Sequence, residues 1–321
     1  MKKHYNILVT GVGAIIGYGI IESLKLAHLN CKIIGIDVYE ENYGKYICDK
    51  FIQVPYTSNP EYKSIINEII DENKIDIIFP GIEQDLYYFI DNYKQFNTKI
   101  VLNQKELVHL SKDKLSMYQF LKGKSYPFLI PTFTDLNYKL AVETVGLPFI
   151  IKPKSSYASK GFYVIHKEED YLKIADEVNK ATLFQPSVGS IDEEYTISVF
   201  GDGNGNYIDS LILRRYLSIA GASEKTFTIK DDRKLMNAVN DLVEIFKPDG
   251  PTNFQFRKKN DIVYLLEINP RISSACSLRT KFGYNEPLFC IQHYLESKTY
   301  SIKNKKDGKA IRYIADHITY E

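Results

Sequence analysis

The chain has no tryptophan, only four cysteines and three methionines among 321 residues, and no apolar run reaching the roughly 18 residues that a membrane span requires. Charge of one sign is also missing. Lys and Arg number 41 against 40 Asp and Glu, so the bulk composition offers no electrostatic footprint for nucleic acid or an anionic membrane. Cys31, Cys48, Cys276 and Cys290 lack metal-ligand spacing and read as reduced, buried thiols, and His109, His166, His293 and His317 are equally ill-spaced for a metal. No Ser-His-Asp or Cys-His pattern is recognisable, which argues against a covalent protein nucleophile. Met1 to Tyr5 leads into a strand rather than a signal-peptide core, so the expected location is cytoplasmic. There is no internal repeat and no low-complexity segment.

What is present is enough apolar residue, 44%, for a large core, in a chain long enough for two or three subdomains. Apolar strands at Asn6–Thr10 and Cys31–Ile36 flank a glycine turn, Gly11-Val12-Gly13-Ala14-Ile15-Ile16-Gly17, and a helical pattern from Tyr18 to about Leu29. The second strand ends at Asp37, placed to accept from a ribose hydroxyl in a dinucleotide fold. The glycine spacing is one residue longer than that fingerprint, and such turns also serve close packing of helix on strand. Strand and helix patterns keep alternating: Phe51–Val54, Tyr62–Asn73, Ile75–Phe79, Gln84–Tyr93 and Lys99–Leu102. This predicts an α/β class with a parallel sheet covered by helices on both faces. Pro80-Gly81-Ile82-Glu83 then falls at the carboxyl end of a strand, where Glu83 and Asp85 are candidate contacts.

From Lys105 the pattern changes to two helical stretches, Glu106–Leu110 and Asp113–Lys122, and a connector bounded by Pro127 and Pro131. A further helix, Leu136–Val145, precedes Leu147-Pro148-Phe149-Ile150-Ile151-Lys152-Pro153-Lys154. The segment Ser155-Ser156-Tyr157-Ala158-Ser159-Lys160-Gly161 follows, then a strand at Phe162–Ile165. Lysine on an apolar strand beside a small-residue loop suits phosphate, through backbone N–H groups and point charges; the plainer alternative is a solvated basic hairpin tip. The Walker A order is absent.

The most informative residues lie at Thr252-Asn253-Phe254-Gln255-Phe256 and Val263-Tyr264-Leu265-Leu266-Glu267-Ile268-Asn269-Pro270-Arg271. In extended strands Gln255, and then Glu267 and Asn269, point to one face, where a carboxylate and amide oxygens offer the hard ligands that Mg²⁺ takes. A hairpin with a wet polar face is the alternative.

Taken in order, these segments resemble the ATP-grasp superfamily, in the branch near the carbamoyl phosphate synthetase large chain and its stand-alone carboxylate-amine ligases, over nearly the whole chain to about Leu295. The resemblance implies a Rossmann-like preATP-grasp domain (1–104), linker helices with a small lid subdomain (105–187), and a C-terminal subdomain with the metal site (188–321), the two lobes built on antiparallel sheets. It implies that Lys114 and Lys152 meet the nucleotide phosphates. Ser155, Ser156, Ser159, Lys160 and Gly161 occupy the place of the loop that closes over ATP, with only Gly161 a glycine. Gln185 and Pro186 match the inter-lobe strand that meets adenine, and Glu194 the acid that contacts ribose. Gln255 and Asn269 each match a Mg²⁺ ligand, Glu267 the bridge between two ions (Mn²⁺ being the alternative metal), and Arg271 the residue that steadies the phosphoryl group.

The implied function is an ATP-dependent, ADP-forming ligase that activates a carboxylate as an acyl phosphate and couples it to an amine, under a lid made from about Lys122 to Phe184. Its partners would be small molecules, with no nucleic acid and no membrane, and related enzymes are often dimers. Lys152, Arg215 and Arg271 are the expected catalytic residues; strand alternation sends Arg214 and Arg215 to opposite faces, and Arg215 is favoured for the site. Ser218–Lys225 resembles an acceptor-side loop, Ser273, Ser274 and Ser277 are candidate pocket hydroxyls, and Cys276 reads as a packed thiol. Two other classes remain open: an NAD(P)-dependent oxidoreductase built on the Gly11–Asp37 unit, and an ATP-binding regulatory protein without turnover. The lysine-rich turn from Lys303 to Lys309 reads as a solvated hairpin.

Overall fold

Five short runs rich in isoleucine, valine and phenylalanine form one parallel sheet: β1 (Tyr5–Thr10), β2 (Cys31–Asp37), β3 (Lys50–Gln53), β4 (Ile77–Phe79) and β5 (Lys99–Ile100), in the order β3-β2-β1-β4-β5. In this computed structural model, residues 3–155, 161–218, 223–298, 305–313 and 316–318 are described. The crossover helices are α1 (Ile15–Leu26), α2 (Tyr62–Asn73) and α3 (Glu83–Asn92). Helix α1 starts three residues before the predicted Tyr18, because Gly17 belongs to its first turn. A Cβ on Gly17 would lie 2.4 Å from the Gly11 carbonyl oxygen, so only glycine lets the turn and helix approach so closely. The strand order reverses between β1 and β4, and Gly81 there donates its N–H to Thr10 Oγ1 (3.2 Å). Glu83, the first residue of α3, therefore sits at the switch point where open α/β sheets present ligands.

Helices α4 (Lys105–Ser111) and α5 (Lys114–Gly123) follow. Asp113 caps α5 by accepting from Ser116 N–H (2.7 Å), which fixes the start of the helix at Lys114. After α6 (Tyr138–Val145), three antiparallel strands form a small sheet in the order β7-β6-β8: β6 (Phe149–Pro153), β7 (Tyr163–Ile165) and β8 (Thr182–Pro186), with α7 (Glu168–Leu172) between the last two. Its core face carries Phe149, Ile151 and Phe184. By alternation Ile150 and Lys152, paired with Gln185 and Leu183, occupy the other face.

The third sheet is antiparallel, in the order β13-β12-β9-β10-β11-β14. Its strands are β9 (Glu194–Asp202), β10 (Tyr207–Leu217), β11 (Ser223–Ile229), β12 (Asp249–Lys259), β13 (Ile262–Asn269) and β14 (Lys309–Ile311). Helix α8 (Arg233–Phe246) buries Leu235, Ala238, Val239, Leu242, Val243 and Phe246, a spacing of three and four that makes one apolar stripe. This stripe packs on Tyr195, Ile197, Val199, Phe254 and Phe256, the alternate residues of β9 and β12. Glu194, Thr196, Ser198, Asn253 and Gln255 must therefore face the other way. The strand from Lys309 pairs with β11; Lys303 and Asn304 of the proposed lysine-rich turn lie outside the described residues.

Strict alternation from Val263 and Leu265, both in the α8 core, would put Glu267 and Asn269 in that core too. A bulge prevents this: Phe256 opposes Leu265 and Gln255 opposes Glu267, leaving Leu266 without a cross-strand partner. Beyond the bulge Ile268 takes the core position opposite Phe254, and Glu267 and Asn269 join Gln255 on the polar face. Helices α9 (Cys276–Lys281) and α10 (Glu286–Cys290) then pack against α1, tying the third sheet to the first.

Candidate active site

A cleft open to solvent lies between the small sheet, α5 and β13. Lys114, Lys152, Gln185 and Glu267 all line it, together with apolar Met117, Leu129, Ile130, Leu265 and Ile268. Four residues from four separate segments, singled out in the sequence, thus converge on one cavity whose apolar wall suits a planar ring. Lys114 is the first residue of α5, and its N–H donates to the Lys154 carbonyl (2.9 Å), which joins the helix start to the end of β6. Burial and the neighbouring Lys114 charge push the Lys152 ammonium down to about 8, against the opposing pull of Glu267. Gln185 donates to Thr132 Oγ1 (2.7 Å), a partner that no local pattern marks out.

Glu194 is buried, and its carboxylate is saturated by two guanidinium groups. Oε1 accepts from Arg215 Nε and Nη2 (2.9 and 2.5 Å), and Oε2 from Arg257 Nε and Nη2 (3.1 and 2.9 Å). The expected ribose acid is therefore engaged as the anchor of two arginines. Arg257 was missed in the sequence, although its position two residues after Gln255 on one strand was the available signal. Arg215 is 6% exposed and also donates to Gln255 Oε1 (2.7 Å). Arg214 turns outward, donating to the Asp192 carbonyl (2.6 Å), so alternation separated the two arginines correctly.

On the same face Arg271 Nη2 donates to Glu83 Oε1 (2.5 Å) and to Asn269 Oδ1 (3.0 Å). This brings the switch point of the first sheet to the end of β13. Tyr87 on α3 stands close enough for burial and Glu83 to push its phenol up to about 12, opposed by Arg271. Beneath these residues Arg279 and Glu286 form an ion pair with no solvent exposure. Arg279 also donates to Ser273 Oγ (2.7 Å), Thr196 Oγ1 (2.9 Å) and Asn253 Oδ1 (2.5 Å), so the Ser273 hydroxyl is committed to this network. Among the described residues no three His, Cys, Asp or Glu side chains converge on a metal position; Glu267 and the amides of Gln255 and Asn269 put hard oxygens side by side on this face.

Gly161 has φ +71° and packs on Pro153, where a Cβ would meet Cγ at 2.8 Å. Ser155 is exposed; Ser156, Ser159 and Lys160 lie outside the described residues, as do 219–222 of the acceptor-side loop. Cys276 is fully buried, and desolvation drives its thiol well above the usual range, in keeping with a packed thiol; Cys290 is buried too, whereas Cys31 and Cys48, expected buried, are half-buried. Asp37 accepts from Gly13 N–H (2.8 Å) and Tyr39 N–H (3.1 Å), one bond to each carboxylate oxygen. The acid that a dinucleotide ribose would need thus pins the glycine turn instead.

Residues 191–317 match the family model described as ATP-grasp in the biosynthetic pathway with Ter operon. The chain carries an ATP-grasp domain. Ahead of the ATP-grasp domain, residues 7–102 match the model of a PylC-like N-terminal domain. The carbamoyl phosphate synthase large chain of Methanosarcina mazei is 22% identical over 240 residues, covering 68% of this chain and 22% of that protein. The chain thus spans about a fifth of the length of the curated relatives it matches. Among solved structures, the N5-carboxyaminoimidazole synthetase of Staphylococcus aureus complexed with ADP superposes with a TM-score of 0.71 at 18% identity, covering 97% of this chain and 81% of that one. Biotin carboxylase of Campylobacter jejuni gives 0.69 at 17% identity over 95% of this chain and 74% of that one. The fold around the ATP-grasp domain, a parallel-sheet unit followed by antiparallel lobes, is shared with these enzymes.

Proposed function

We propose that this protein is an ADP-forming ligase that activates a carboxylate as an acyl phosphate and joins it to an amine. The observation that carries the reading is the convergence of Lys114, Lys152, Gln185 and Glu267 on one cleft, with Gln255, Asn269 and Arg271 on the adjoining sheet face. Lys114 and Lys152 neutralise the nucleotide phosphates, Gly161 closes the loop over them, and Gln185 with Pro186 meets the adenine edge. The hard-oxygen set of Glu267, Gln255 and Asn269 fits Mg²⁺ and would hold it, two ions in this reading. Bound there, the metal supplies neutralisation of the triphosphate charge. Arg215 and Arg271 hold the amide oxygens of Gln255 and Asn269 in place on this face.

An amine cannot displace oxide from a carboxylate. The carboxylate oxygen first attacks the γ-phosphorus of ATP, forming an acyl phosphate and releasing ADP. The amine then attacks the acyl carbon, the C–O bond to phosphate breaks, and the amine gives up a proton as amide and inorganic phosphate form. Arg271, Lys152 and Arg215 stabilise the charge spread over the transferring phosphoryl group, work that needs positioning and electrostatics rather than a protein nucleophile. The division into 1–104, 105–187 and 188–321 belongs to this reading, with the small sheet as the lid that keeps water from the acyl phosphate. So do a homodimeric assembly and a cytoplasmic location. Incubation with ATP, Mg²⁺ and pooled carboxylates and amines, reading ADP and phosphate, tests it. Release of both products only when acid and amine are present is expected; no ADP from any mixture, with no thermal stabilisation by MgADP, would sink it.

A further inference from the structure

Among the described residues, three polar groups beside the last strand are buried without a hydrogen-bond partner: the hydroxyls of Ser223 and Thr226 and Nη1 of Arg312. Ser223 and Thr226 are both fully buried. Thr226 opposes Arg215 on β10 and Ala310 on β14, and Ser223 opposes Leu217. Because Arg215 and Leu217 lie two apart on β10, they share the polar face, and their partners Thr226 and Ser223 share it with them. Arg312 follows β14, and its N–H donates to the Glu224 carbonyl (2.8 Å), which places it beside both hydroxyls. Its Nη2 donates to the carbonyl of Ser274, three residues beyond Arg271. Tyr18 and Tyr43, packed edge to face at 5.8 Å, approach from the first sheet's unit closely enough for each phenol to interact electrostatically with Arg312.

We infer that Arg312, with the hydroxyls of Ser223 and Thr226, anchors a carboxylate of the organic substrate. The inference deepens the ligase reading and rests on it. Buried donors are satisfied by acceptors, and a carboxylate offers two oxygens able to take several hydrogen bonds at once. One guanidinium edge balances one negative charge, and charge-assisted bonds of this kind are the strong ones. A phosphate dianion would leave a buried charge unmatched, since the two other groups are neutral hydroxyls. The Ser274 contact also ties the anchor to the segment that carries Arg271.

Calorimetric titration of the full chain with MgADP, then with acetate, succinate and L-alanine and with their amides acetamide, succinamide and L-alaninamide, tests the assignment. At least one acid is expected to bind while its amide does not. Arg312→Gln should weaken that acid about tenfold or more, and Thr226→Val and Ser223→Ala should each weaken it by a smaller factor. If Arg312→Gln does not fold, Arg312→Lys and the near-isosteric Thr226→Val carry the test. Equal binding of acid and amide, undiminished binding by every variant, tighter binding of inorganic phosphate at the same residues, or no acid bound by a chain that binds MgADP would each overturn it. Failure to bind MgADP sinks the ligase reading instead, whatever the acid titrations give.

Discussion

Arg271 holds Glu83 and Asn269 through the same nitrogen, Nη2, at 2.5 and 3.0 Å. One residue begins a helix of the parallel-sheet unit and the other ends a strand of the antiparallel sheet, so a single guanidinium aligns two parts of the chain. Glu83→Gln removes the charge that fixes Arg271 while keeping the shape. It should lower kcat about tenfold with little change in the KM for ATP, since a hydrogen bond between charged groups contributes about 1.5–3 kcal/mol and this one is partly exposed. A KM that rises with kcat unchanged would place Arg271 in ground-state binding instead.

Glu267→Gln should cut ADP formation by roughly a hundredfold or more, the scale of losing one charge-stabilising group at a transferring centre. The half-exposed position and conserved volume leave the fold intact, which an unchanged melting temperature would verify. Near-normal turnover in the variant would remove Glu267 from the metal site.

Lys152 sits at about 8, below its ordinary range, because burial and Lys114 disfavour its charged form. Its folded value lies below its unfolded value, so the unfolded chain binds the extra proton between about pH 8 and 10.5. Burying it charged is therefore a stability penalty at neutral pH that fades as pH rises through this window. Phosphate binding pulls the other way, favouring the ammonium. Affinity for MgATP should fall as pH rises past about 8, with proton uptake on binding visible as a buffer-dependent enthalpy. Lys152→Ala should bind ATP weakly at every pH; a variant that retained the same decline would exclude Lys152 as its cause.

Asp85, almost fully buried beneath Tyr62, is pushed up to about 6 by desolvation, against the Thr10 and Tyr62 hydroxyls. A raised carboxyl favours the folded state where it is protonated, so its contribution is present at acid pH and is lost as pH rises from about 4 to about 6. The shift corresponds to a loss on the order of 3 kcal/mol. Asp85→Asn should raise the melting temperature at pH 7 and above and change it little near pH 4. Destabilisation of equal size at both would mean that the hydrogen bonds, not the charge, dominate.

Much of this was legible because it depends on local pattern. The Tyr62–Asn73 helix reads directly from its apolar spacing, and Ile150, Lys152 and Gln185 share a face because strands alternate. The helix that carries Lys114 reads from the same kind of spacing, over Asp113–Lys122. What sequence could not carry were pairings between distant segments. That Glu194 is consumed by Arg215 and Arg257, that Asp37 is spent on Gly13, and that Glu83 reaches Arg271 all follow from sheet order and register, which no local window contains. The unpartnered hydroxyls of Ser223 and Thr226 are of the same kind, visible only once both neighbours of β11 are known.

Leu266 has no partner across the hairpin, yet it sets the phase of everything after it. Its presence makes the hairpin an indexing device: one added residue moves a carboxylate and an amide from the apolar side to the polar side without changing either neighbour's identity. Loss of that single codon would leave Glu267, Asn269 and Arg271 intact in the sequence and misdirected in the fold. A comparison that scored only residue identities would pronounce such a chain competent when its polar face had been emptied.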